Sequence, residues 1–205
     1  MRIWASRLAL LASSFFVIGL LVALPPTLAQ SEGKFVIKPV AEKRLSQSPQ
    51  APLYWRIETF PMLAAAEAAA RPTSLAAQVA GRVWLFTLGA PGGSTSGGTK
   101  VAEIGPVPQP PEAPAYLLRI NNASGPPGAK TAIHTHPGSE TFYVLAGELS
   151  QRTQQGTMRV EAGQSMPGRA PGMAMEVASS GTSDLNVLVM FVVDATKPFS
   201  TPSAF

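Results

Sequence analysis

From Ala115 to Val193 short apolar runs alternate with clusters of Gly, Pro, Asn and Ser. Runs of this length and spacing predict strands joined by tight turns. We place them at 115–120, 131–136, 141–147, 157–160, 173–177 and 186–193. Upstream, the segment from Pro52 to Phe60 alternates strictly. Trp55, Ile57 and Thr59 fall on one side and Tyr54, Arg56, Glu58 and Phe60 on the other, as in a half-buried strand. A second aromatic-rich strand is predicted over 82–88, and the Ala-rich stretch 62–70 reads as one short helix stopped by Pro72. Residues 30–50 are polar apart from Phe35, Val36 and Ile37, and read as an extended arm. The Gly-rich segment 89–100 reads as a flexible hairpin loop, and the prolines from Pro106 to Pro114 as an extended connector. Several closely spaced short strands make the chain all-β, a sandwich or barrel with extra N-terminal strands.

The first residues differ from the rest. Arg2 and Arg7 precede an uncharged apolar run from Leu8 to Leu24, followed by Pro25, Pro26 and a small residue at Ala29. This is the layout of an export signal, residues 1–29, cleaved near Ala29. The alternative is an uncleaved membrane anchor, since the run reaches the lower limit of roughly 17–25 residues for a spanning helix. Either reading puts the protein in the periplasm or outside the cell. The formal charge of +4 loses two Arg with that segment, leaving no nucleic-acid footprint. The chain has no Cys, which excludes disulfides, thiol catalysis and thiolate-held metals. Any metal site must therefore use His, carboxylate, Met or backbone ligands.

Only two His occur, and they stand together in Gly128-x5-His134-x-His136-x3-Glu140-x6-Gly147. In a strand, positions i and i+2 share one face. His134 and His136 therefore project together, and a turn at 137–139 would bring Glu140 opposite them on the next strand. Two imidazoles and one carboxylate can converge on a divalent ion at ~2.0–2.2 Å and leave other positions open. The structural alternative is a barrel that keeps the spacing and binds nothing.

This spacing resembles the first motif of the cupin family at every fixed position. The resemblance implies a small jelly-roll, or double-stranded β-helix, barrel over residues 115–205, with 30–114 as an N-terminal arm and accessory strands. The family's second motif is only partly present. Residues 163–175 keep its glycines and prolines with a shifted length, and Met175 stands where a third metal-binding His is expected. Met175 is then a weak fourth ligand or part of an apolar wall. On the same alternation Phe142, Val144 and Met173 line a pocket for a small molecule. Arg119 and Lys130 could meet an anion or simply face solvent.

The resemblance implies one divalent ion, iron or manganese ahead of zinc, copper and nickel. With no second His or acid at hand for proton shuttling, metal-centred chemistry is the better supplied. Two classes stay open: a metal-dependent oxygenase, lyase or isomerase acting on a small oxygenated or aromatic compound, and a non-enzymatic module that binds a ligand or metal. Trp55, Trp84 and Phe191 suit a homodimer surface or core packing equally well.

Overall fold

The computed structural model describes residues 33–47, 50 and 52–205, and the export signal expected over residues 1–29 lies outside them. Among the described residues no helix is long and apolar enough to cross a membrane. The elements are β1 (Val36–Leu45), β2 (Leu53–Phe60), α1 (Leu63–Ala69), β3 (Ser74–Val79), β4 (Arg82–Gly89), β5 (Thr99–Val107) and β6 (Tyr116–Gly125). They continue with β7 (His134–Thr135), β8 (Gly138–Ala146), β9 (Glu148–Thr153), β10 (Gly156–Glu161), β11 (Ser165–Met166), β12 (Glu176–Ser179), β13 (Leu185–Asp194) and β14 (Thr201–Pro202).

Four sheets form, all of antiparallel pairs. A five-stranded sheet runs β1-β6-β13-β8-β11, and a four-stranded one runs β3-β4-β2-β5. A three-stranded sheet, β10-β9-β12, and the pair β14-β7 complete the jelly roll. The described residues are all-β with one short helix, as their patterning predicts.

The five-stranded sheet has an apolar layer on each face, and β13 shows why. Nine of its ten positions are buried, so both sides of its pleat must be covered. Leu188, Met190 and Val192 pack with Leu118 and Ile120 against Trp55 and Trp84 of the four-stranded sheet. Val187, Val189, Phe191 and Val193 turn the other way, toward Phe142 and Val144. Trp55, Trp84 and Phe191 are thus taken up in core packing rather than on a surface.

Several local expectations are corrected. Within the N-terminal arm, Val36–Leu45 is strand β1, paired along β6 from Val36↔Ser124 to Leu45↔Tyr116. The loop 89–98 does not close a hairpin, because β5 pairs with β2 and not with β4. It is pinned instead by Glu58, which accepts hydrogen bonds from the Thr95 amide and hydroxyl, both at 2.6 Å. The turn expected at 137–139 is absent, since Gly138 and Ser139 already belong to β8 and pair with Val193 and Val192. Glycine is needed at 138 for close approach: a Cβ there would lie 2.1 Å from the Val192 carbonyl oxygen. Gly147, at φ +74°, turns the chain from β8 into β9.

Candidate metal centre

His134 lies in β7, a two-residue strand held by β14 on one side and by reciprocal backbone bonds to Met175 on the other. Pro137 ends it, and the next strand, β8, carries Glu140. The sequence therefore brings the three side chains together by a change of sheet rather than by a hairpin. One ligand atom from each of His134, His136 and Glu140 lies within 4.8 Å of the others. The imidazoles meet edge to face, 5.0 Å between centroids and 84° between planes. His136 Nε2 is 3.9 Å from Glu140 Oε1.

The outward nitrogens fix which ring atom is free. His134 Nδ1 donates to the Ala132 carbonyl at 2.8 Å, and His136 Nδ1 donates to the Phe199 carbonyl at 2.6 Å. A carbonyl can only accept, so each Nδ1 carries the hydrogen and each Nε2 keeps its lone pair. Backbone-oriented imidazoles of this kind are the usual support of metal-ligating histidines.

Electrostatics point the same way. Burial pushes His136 down to about 4; His134 and the Arg119 charge add to the effect, while the bond to Phe199 opposes it. His136 is thus a neutral imidazole at pH 7. Glu140 is pushed up to about 8 by burial alone, and its Oε2 is buried with no hydrogen-bond partner. A buried carboxylate oxygen without a donor is costly, and a cation beside two imidazole lone pairs supplies what it lacks. The donor set, two nitrogens and a carboxylate, suits iron, manganese or zinc.

The cluster opens into a cavity of about 550 Å³. Phe35, Ile37 and Pro39 of the β1 side, Arg119 and Asn121 of β6, and Val189 of β13 contribute to its walls. The C-terminal tail crosses its mouth: Phe199 packs 4.9 Å from both His136 and Phe191, and Ser200 and Pro202 also line it.

Of the other residues singled out in the sequence, Phe142 lines this cavity and Val144 is fully buried behind it. Met173 faces a separate depression with Gln154 and Gln155. Met175 stands beside β7, and its sulfur accepts a hydrogen bond from Gln151 Nε2 at 3.1 Å. Arg119 lines the cavity, whereas Lys130 pairs with Glu176 outside it. Asn121 was not foreseen, although it shares the face of Arg119 two positions on.

Residues 124–191 match the family model of the cupin domain. This segment, with its paired histidines and glutamate and its jelly-roll strands, is a cupin domain. Among solved structures, the chain is similar to a conserved protein of unknown function from Streptococcus pyogenes, at 24% identity over 37% of this chain and 64% of that one, TM-score 0.34. It is also similar to a DMSP lyase from Ruegeria pomeroyi, at 20% identity over 42% of this chain and 43% of that one, TM-score 0.37. A third is the polyketide cyclase RemF from Streptomyces resistomycificus, at 19% identity over 43% of this chain and 61% of that one, TM-score 0.37. The chain spans less than two thirds of the length of each of these three. No curated protein matches the chain by sequence.

Proposed function

We propose that this is an exported cupin protein that holds one divalent metal, iron or manganese by preference, and acts on a small oxygenated or aromatic compound in the adjoining cavity. The observation that carries the reading is the pair of Nδ1 hydrogen bonds to backbone carbonyls, which leaves two Nε2 lone pairs beside a partnerless carboxylate oxygen. His134, His136 and Glu140 would be the ligands. The ion would act as a Lewis acid toward a substrate oxygen. The chain's own contribution is then to hold both imidazoles in one tautomer, to keep Glu140 out of water and to shape an apolar chamber. Among the described residues no second titratable pair lines the cavity for separate acid and base roles, which favours oxygenase or lyase chemistry over hydrolysis.

An open chamber of this volume supports the enzyme reading over a purely structural barrel, which would be filled by side chains. Metal analysis of the untagged protein beside a His134→Ala/His136→Ala variant tests it. Close to one equivalent in the wild type and none in the variant is expected. Absence of metal from both after reconstitution would overturn the reading and leave a ligand-binding module.

A further inference from the structure

The register of the five-stranded sheet places Arg119, Phe191 and Glu140 in one row across β6, β13 and β8. Asn121, Val189 and Phe142 form the next row. All six line the cavity. Arg119 and Glu140 thus stand two strands apart, roughly 10 Å at the backbone.

Two features here have no role in holding a metal. Asn121 is 3% exposed, and its Oδ1 is buried without a hydrogen-bond partner. Such an orphan is costly, so a donor from a ligand would be welcome there. Arg119 is the only Lys or Arg among the described residues of the lining. Its guanidinium lies 3.9 Å over the Phe199 ring and pairs with Glu42, whose side chain is 43% exposed. A rim ion pair with a partner of that exposure contributes little, so a ligand can take Glu42's place at little cost.

We propose that Arg119 and Asn121 are the recognition pair for a small organic monoacid. The carboxylate meets the Arg119 guanidinium, whose planar fork matches it. A hydroxyl or amino group on the acid's chain donates to Asn121 Oδ1. The apolar body lies against Phe142 and Val189, and the far end reaches the His134–His136–Glu140 cluster. One guanidinium shared with Glu42 suits a single negative charge better than a phosphate, which ordinarily collects several cations or backbone amides. This deepens the functional reading above and rests on it.

The test is calorimetric titration of the full manganese-loaded protein. The probes are hexanoate and 3-phenylpropionate, each beside its primary amide and its 3-hydroxy derivative, with metal content measured on the same samples. At least one acid is expected to bind about tenfold or more tightly than its amide. Arg119→Gln should abolish that preference without altering metal content, and Arg119→Lys should keep part of it. The hydroxy acid should exceed its parent in the wild type but not in Asn121→Leu. The proposal is overturned if acids bind no better than amides, if neither binds, or if the preference survives in Arg119→Gln. An acid preference that persists in a protein taking up no metal would overturn the metal reading and leave the recognition pair standing.

Discussion

Glu58 and Glu140 are both removed from solvent, and they respond to burial in opposite ways. Burial would raise Glu58, but hydrogen bonds from Thr95 and from Arg56 at 3.1 Å outweigh it and hold the carboxyl below its ordinary range. Glu140 has no donor, so burial acts unopposed. Loading a cation below pH 8 must therefore displace the Glu140 proton. Manganese affinity is expected to rise about tenfold per pH unit between pH 6 and 7.5, and Glu140→Gln to bind weakly with no such slope, both read by calorimetry. The metal-free protein carries a second signature. His136, lowered from 6.5 to about 4, adds stability as pH rises through that window. Glu140, raised from 4.5 to about 8, removes stability as pH rises through its own. Above pH 6.5 only Glu140 still titrates of the two, so the metal-free melting temperature should fall from pH 6.5 to 8, and stay flat there in Glu140→Gln. At this scale the sequence was informative wherever spacing alone decides geometry, as for His134, His136 and Glu140. Nothing in it told that the Phe199 carbonyl orients His136 across 63 positions, because no local pattern encodes so distant a contact.

Among the elements, β14 has the largest effect for its length. It is two residues long and exposed, yet it pairs with the strand that carries His134, and the residues just before it supply the Phe199 carbonyl and ring. Losing a group that orients a metal-ligating histidine typically lowers affinity about 10–100-fold. A variant ending at Lys197 is expected to lose metal affinity within that range while retaining the circular dichroism of the remaining sheets; unchanged affinity would remove the tail from the account of the site. Long strands with continuous or alternating apolar positions, such as β2, β4 and β13, were legible in the sequence. Strand β3 was not, because Ala76 and Ala77 carry no β signal of their own and owe their conformation to pairing with β4. Strand β1 read as an arm because its side chains are largely exposed, and its order comes from the ladder with β6.

Across the whole molecule, the N-terminal sheet and the cupin domain share one apolar seam. Leu118, Ile120, Leu188 and Met190 are all fully buried, and they are covered by Trp55, Trp84 and their neighbours. Excising residues 52–107 would expose that face, so the shortened protein is expected to be insoluble, and the intact one to melt in a single transition by calorimetry. The motif pointed to the barrel but not to this seam, since which sheet covers which face depends on topology rather than spacing.

Strand β13 assigns its alternate positions to different tasks. Met190→Ala, on the seam, should cost about 2–5 kcal/mol by denaturant unfolding. Val189→Ile, which grows into the chamber, should change the ligand preference with the melting temperature nearly kept. Adjacent codons of one strand thus answer to separate selective pressures. A lineage can drift in what the chamber accepts, one substitution at a time, without passing through a chain that no longer folds.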